Sequence, residues 1–359
     1  MSSVADVLGA LAEVARPDKA ADWDSVGLQV GDLAARADTV GVCHEVTTDV
    51  VAAVEHDPVD LLVAYHPLLF RPTRTLIAGA SPGGRAFRLA RAGVALAVVH
   101  TAFDVAPGGA ADALAAALGI TDPAGFGPAW AGEAVKVVTF LPSAAADAVA
   151  AAMADAGAGT IGGYTACSFR SEGVGSFFAG AATHPAAGST GGFNAEAEVR
   201  LEMIAPGSRR DAVVGALVAA HPYEEPAFDV YAVSANAGMV GRRGAVAPTT
   251  MAVFAEKVAA ALETSVRFSG SADLPIGDVA VVPGSGSSLI DSAVGANVLV
   301  TGDVSHHDAR RAADRGLAII DAGHIPTERP GLERLYAAVA RIAAETRAVG
   351  PDPDLWKEP

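Results

Sequence analysis

The chain has 359 residues, enough for two or three domains and a sizeable core that needs neither metal nor disulfide to fold. Hydrophobic residues make up 51% and charged residues 18%, which excludes disorder over most of the length. Net charge is −16, from 25 Lys and Arg against 41 Asp and Glu, so nucleic acid and anionic membrane surfaces are poor partners.

Mean hydropathy is +0.34, but it comes largely from alanine. No apolar run reaches about 18 residues, so no membrane-spanning helix is expected. The opening MSSVADVLGALAEVARPD lacks a basic start and a continuous apolar stretch. It reads as an amphipathic helix ended by Pro17 rather than a signal peptide. Cys43 and Cys167 are the only cysteines, too few for a disulfide framework or a thiolate zinc site. A reducing cytoplasm is the expected compartment.

In chain order, a strand is expected over 38–46, a helix over 48–55, a buried strand over 61–64, a helix over 85–92, a strand over 94–99 and a helix over 109–118. This alternation favours a parallel sheet with helices on its faces, where ligands gather at the carboxyl ends of strands. A second unit is expected over 125–244. Its strands are placed at 135–141, 167–170, 196–204 and 228–233, with helices over 143–156 and 209–220. That β-α-β-β-α-β order is similar to a ferredoxin-like module. Residues 188–194 read as a loop, and Gly241-Arg-Arg-Gly244 with the following Ala-Pro-Thr-Thr reads as a linker. The first pattern then returns: a helix from Met251, a strand over 279–282, a helix near 288–294 and a strand over 297–300. A helix over 305–315, a strand over 318–321, a helix over 328–346 and a loose tail at 351–359 complete it.

Polar residues end strands in VAYHP (63–67), HTAFD (100–104), TGDVSHHD (301–308) and DAGHIPTE (321–328). Five of the nine histidines lie in these windows: His66, His100, His306, His307 and His324. If the strands share one sheet, these side chains converge. His324 and Glu328 are four residues apart, on one face of a helix. An imidazole and a carboxylate one turn apart suit Zn, Mn or Fe, and the two oxygens of Asp104 are able to bridge two cations. Blander readings stand beside these. His324 and Glu328 also fit a surface helix pair, His66 a strand cap and Asp104 a turn or helix cap. His306 also fits a solvated helix start.

With these segments in view, the chain resembles the NIF-three-like dinuclear-metal proteins, often catalogued as GTP cyclohydrolase 1 type 2 homologues. WDSVGLQVGD (23–32), HPLLF (66–70), HTAFDVAPGG (100–109), GDVSHHDA (302–309) and DAGHIPTE (321–328) carry the resemblance in the family's order. GTIGGYTACSF (159–169) and HPYEEPAFDV (221–230) resemble the PII-like insertion of its longer members. The resemblance implies a discontinuous α/β domain of 1–124 with 245–350, interrupted by a PII-like α+β domain over 125–244. It also implies assembly into a toroidal homohexamer.

The resemblance further implies metal ligands at His66, Asp104, His324 and Glu328. The family has two adjacent histidines before Pro-Leu; here Tyr65 stands at the first of them. Neutral phenol is a poor ligand beside imidazole. Where the family has an aspartate after its first strand, this chain has Cys43-His44-Glu45. Either His44 or Glu45 reaches the site and replaces the lost imidazole, or His44 stays outside the ligand set. Two divalent ions per subunit (Zn, Fe or Mn) are implied, bridged or shared by Asp104 and Glu328. Such a pair activates water for hydrolysis. Asp104, Glu328 and His307 are the expected catalytic residues. Asp303 and His307 are expected to orient a ligand or pass a proton, with helix capping and solvation as their plainer roles. The expected activity is hydrolysis of a small phosphate- or nucleotide-like substrate, with ring opening of GTP as the specific case. The alternative is a non-catalytic metal-binding scaffold or regulatory protein.

Overall fold

The computed structural model describes residues 2–21, 23–129, 134–161, 164–233 and 238–350. The tail at 351–359 and residues 162 and 163 of the 159–169 segment lie outside them. The chain divides into two compact units, Met1–Ala129 with Ala237–Pro359, and Trp130–Asn236.

In the discontinuous unit, α1 (Val4–Val14) starts at a capping box. Ser3 Oγ accepts from the Asp6 backbone, and the Asp6 carboxylate accepts from the Ser3 backbone. Val4, Val7 and Leu11 form its buried stripe. Then come β1 (Gly27–Val30), β2 (Thr39–Cys43), α2 (Thr48–His56), β3 (Leu61–Ala64), α3 (Pro82–Ala92), β4 (Ala95–Val98), α4 (His100–Asp104), α5 (Ala110–Ala117) and β5 (Thr121–Pro128). β2, β3 and β4 are parallel neighbours. Every residue of β3 and β4 is buried, as in strands covered on both faces. Polar side chains therefore collect where these strands end.

The inserted unit runs β6 (Ala134–Leu141), α6 (Ala146–Asp155), β7 (Phe169–Phe178), β8 (Phe193–Ala205), α7 (Arg210–Ala220) and β9 (Phe228–Val233). Its sheet order is β7-β8-β6-β9, antiparallel throughout, the split β-α-β arrangement of a ferredoxin-like unit. Val137, Leu141, Val149, Met153, Leu201 and Leu217 share its core. β7 is much longer than the strand expected at 167–170, because Gly173 and Gly175 interrupt the apolar pattern. A Cβ at Gly175 would collide with the Glu198 carboxylate of β8, so a side chain from the neighbouring strand covers that position.

The discontinuous unit resumes with β10 (Met239–Thr250), α8 (Met251–Leu262), β11 (Arg267–Phe268), β12 (Pro275–Ser285), α9 (Ile290–Ala293), β13 (Val298–Gly302), α10 (His306–Asp314), β14 (Ala318–Asp321), α11 (His324–Val339) and β15 (Glu345–Ala348). It contains two sheets rather than the single one entertained from sequence: β1-β4-β3-β2-β15 and β11-β14-β13-β12-β10-β5. α11 touches β2 and β15 of the first and β12 and β13 of the second, so residues in its first turns are placed between the sheets.

Three expectations about this unit need correction. The supposed linker at 241–250 is most of β10, paired with both β5 and β12. Its glycines mark close approach rather than freedom. A Cβ at Gly241 would strike the Phe126 ring, and one at Gly244 the Thr121 carbonyl. Pro248 sits where the β10–β12 register shifts, the place a strand tolerates proline. As a result the inserted unit begins at 130 and ends at 236, inside the 125–244 bounds read from sequence. The last helix starts at His324 and stops at Val339 instead of spanning 328–346, and 345–348 adds a parallel edge strand beside β2. Among the described residues no helix is long and apolar enough to cross a membrane.

Candidate metal centre

The first group of site residues follows from parallel register. Cys43 pairs with Ala64, and Ala64 with Val98, so the residues just beyond form a row. The ladder continues one step: Tyr65 N donates to Cys43 O (3.0 Å), His66 N to His44 O (2.9 Å) and His100 N to Tyr65 O (2.9 Å). His44 and Tyr65 are buried and His66 is half-buried. Asp104 ends α4 and is buried as well.

The second group comes from the other sheet. β13 ends at Gly302, where a Cβ would lie 2.5 Å from the backbone of Gly323 and His324. Only glycine lets the start of α11 come so close. His324 opens that helix, and Glu328 follows one turn later. Gly284 in β12, with φ +63°, is equally constrained. A Cβ there would overlap Glu328 Oε1 and lie 3.2 Å from His324 Nε2. Gly284 N donates to Thr327 Oγ1 (2.9 Å), tying β12 to the helix beside its glutamate.

The groups meet at Glu328. Its Oε2 lies 2.7 Å from His44 Nε2 and 3.1 Å from His66 Nε2, and its Oε1 lies 3.2 Å from His324 Nε2. Burial pushes the Glu328 carboxyl up, but hydrogen bonds from His324, His44 and His66 win and hold it well below the usual carboxylate range. Its hydrogen bond to Glu328 takes His324 up to about 9 despite burial, with Asp303 adding to the effect. His324 Nδ1 lies 2.6 Å from Asp303 Oδ2. Burial draws His66 below its ordinary value against the pull of Glu328.

The other end of the site is built around Asp104. The Tyr65 hydroxyl donates to Asp104 Oδ1. Burial pushes Asp104 up to about 7, opposed by the nearby His100 charge and the Tyr65 hydrogen bond. Burial and the charges of Asp104 and Glu328 push the Tyr65 phenol well above its ordinary value. His100 is held by Asp24, whose Oδ1 lies 2.9 Å from His100 Nδ1 and whose Oδ2 accepts from Thr101 N at 3.0 Å. Burial lowers the His100 imidazole, but Asp24 and Asp104 outweigh it and raise it.

The donor set suits a divalent cation. One ligand atom from each of His44, His66 and Glu328 lies within 4.8 Å of the others, and an N,N,O set of this kind fits Zn, Fe or Mn. His44 Nδ1 is buried with no hydrogen-bond partner, a polar atom that hydrogen bonding alone leaves unsatisfied.

The fold thus brings together His44, His66, His324 and Glu328 from the sequence-derived set, and places Tyr65 on Asp104. Glu45 is exposed. His307 is exposed on α10 with its ring 5.7 Å from that of His306; among the described residues no hydrogen bond links it to the cluster. Asp303 does reach His324. The roles of Asp24, His100, Gly284 and Thr327 were missed. Asp24 and His100 lie inside segments singled out from sequence, whereas nothing in Pro283-Gly284-Ser285 distinguishes a cradle from a turn.

A cavity of about 480 Å³ reaches the cluster at His66 and is lined also by His100, Trp23, Phe70, Glu45 and Arg85 among others.

Comparison with known proteins bears on this arrangement. The family model described as Duf34/NIF3 (NGG1p interacting factor 3) matches residues 2–349. A Mycobacterium tuberculosis protein named GTP cyclohydrolase 1 type 2 homolog is 39% identical over 339 residues, covering 91% of this chain and 88% of its own. A Bacillus subtilis protein of the same name is 37% identical, covering 85% and 83%. The crystal structure of a Bacillus cereus protein related to NIF3 superposes with a TM-score of 0.64 at 33% identity, covering 99% of both chains.

Proposed function

From the premise that the chain belongs to the Duf34/NIF3 family, we propose that it is a dinuclear divalent-metal hydrolase acting on a phosphate- or nucleotide-like substrate. The observation that carries this reading is the disposition of Glu328. One of its oxygens faces His44 and His66, and the other faces His324. A carboxylate with imidazoles on both oxygens is suited to bridge two cations. His44, His66 and Glu328 would hold the first. His324, Glu328 and Asp104 would hold the second, weaker one. Bound there, the cations supply Lewis-acid polarisation and a water of lowered pKa.

The chain's own residues do the remaining work. Asp303 fixes the His324 ring through Nδ1, as an outer partner does for a metal-binding imidazole. The burial of Tyr65 and Asp104 keeps bulk water from that end of the site. In the metal-free protein burial pushes Asp104 up to about 7, so it holds a proton near neutral pH, with the Tyr65 hydroxyl on its Oδ1, and would have to release that proton to hold a cation. Among the described residues no hydrogen bond links His307 to the cluster, and we assign it no role as a proton shuttle. The relatives' printed name points to GTP as the first substrate to test. Incubation of protein loaded with Zn, Fe or Mn with GTP should release product, and Glu328→Gln should abolish release.

One observation favours the alternative, a non-catalytic metal-binding scaffold: the Tyr65 hydroxyl already occupies an oxygen of Asp104. Absence of turnover with every metal, alongside intact metal binding, would select that reading. We also propose a cytoplasmic toroidal homohexamer with 130–236 as a PII-like module, on the strength of the family resemblance. Light scattering should report six subunits.

A further inference from the structure

The wall of the cavity above the cluster contains an unpaired cation. Arg85, on α3, lines this cavity together with His66 and His100. Its Nη1 donates to the Val46 carbonyl, while its Nε is buried with no partner. Among the described residues no carboxylate lies within ion-pair distance of it. The contrast on the same helix is direct: Arg88, three residues further on, is paired with Glu55 at 2.9 Å through Nε. A half-buried guanidinium without a counterion is costly, since burial disfavours its charge, and Glu45 on the same wall only partly offsets this.

Two aromatic side chains line the same cavity. Trp23 and Phe70 meet edge to face, with ring centroids 5.9 Å apart, and they remain 59% and 46% exposed. Trp23 also stands edge-on to His100 at 6.0 Å. Large aromatic side chains left open at the mouth of a polar cavity offer flat apolar surface to a ring.

We propose that this cavity binds a nucleoside monophosphate-like ligand, its phosphate on Arg85 and its base against Trp23 and Phe70. The assignment rests on the metal-site reading above and deepens it. Arg85 offers Nη2, which has no partner among the described residues, as a charge-assisted donor to a phosphate. The cavity places that phosphate and the attached sugar beside His66, whose Nε2 faces Glu328. Glu45 opposes the anion, so the wall also sets a limit on ligand charge.

The test is calorimetric titration of chelator-treated protein with GMP, guanosine and inorganic phosphate, repeated on metal-loaded protein. GMP should bind more tightly than guanosine. Arg85→Gln should weaken GMP at least tenfold and leave guanosine unchanged, as loss of a charge-assisted pair requires. Trp23→Ala should weaken both. Glu45→Gln leaves Arg85 and its contact with Val46 in place, so it serves even if Arg85→Gln fails to fold. It should tighten GMP roughly two- to fivefold by removing a like charge from the wall. No binding of GMP to the wild type at millimolar concentration overturns the proposal. So does equal binding of GMP by wild type, Arg85→Gln and Glu45→Gln. Metal content separates the two readings. Arg85→Gln should keep the wild-type amount, so a failed GMP result with metal retained leaves the metal centre standing. Wild type that binds no metal sinks the centre whatever GMP does.

Discussion

The Glu328 end and the Asp104 end of the site contain the same kind of acid in the same degree of burial, yet they behave in opposite ways. Glu328 is ringed by three imidazoles from two sheets and is held ionised well below its ordinary range. Asp104 faces a phenol and is pushed up to about 7. Burial raises both. The partners decide the outcome: three imidazole hydrogen bonds outweigh the loss of water at Glu328, whereas at Asp104 the His100 charge and the Tyr65 hydroxyl do not, with Glu328 and Asp24 adding to the upward push. In the metal-free protein one acid is therefore ready for a cation, while the other must first give up a proton.

Removing the ionised acid should have the largest effect. Glu328→Gln leaves one buried and two half-buried imidazoles without their shared acceptor. It should eliminate metal binding and destabilise the metal-free protein by about 3–5 kcal/mol in chemical denaturation. A variant with unchanged stability would mean that the imidazoles do not depend on that carboxylate.

Asp104→Asn sharpens the contrast through pH. The folded-state pKa of Asp104 is raised, from 3.8 to about 7. Its contribution to stability is therefore fully present below about pH 4 and is lost as pH rises through about 7. In chelator-treated protein the asparagine variant, which cannot ionise, should gain on wild type by roughly 3–4 kcal/mol between pH 4 and pH 8. Parallel pH profiles for the two proteins would show that Asp104 is not perturbed.

Gly284→Ala attacks the cradle of the Glu328 end. Its Cβ would press on the glutamate from a left-handed backbone position, at a cost of about 1–3 kcal/mol and a lower melting temperature. An unchanged melting temperature would show that the cradle yields. The smallest effect is expected for Tyr65→Phe. Loss of the hydroxyl removes a hydrogen bond that lowers the Asp104 pKa, so Asp104 should titrate above 7, with about 1–2 kcal/mol of destabilisation near pH 5. Titration at or below 7 would place the perturbation elsewhere.

The strands that dictate this contrast were the easiest to read. Leu61–Ala64 is a short apolar run that can only be a buried strand, and its end at Tyr65-His66 locates the site. The capped helices and the ferredoxin-like order of the inserted unit were equally legible from period and turn residues. β10 was not, because its Gly and Pro residues mimic a linker and their role is visible only when the opposing side chains are in place, and its partner β5 was not expected as a strand at all. β15 carries no apolar alternation, being half exposed at a sheet edge. At the site, His44 was singled out as a candidate replacement because Tyr65 leaves an imidazole missing from the resembling motif, and its ring does lie against Glu328. The division of ligands between two sheets, the Gly284 cradle and the unpaired Arg85 depend on contacts between residues far apart in the chain, which periodicity does not record.

The most direct test of the account is elemental analysis of wild type and His44→Ala, purified without a metal-affinity tag and dialysed after metal loading. The account predicts at least one tightly held divalent ion per wild-type subunit and its loss in His44→Ala. Full metal content in His44→Ala, or none in the wild type after metal is added back, would contradict it.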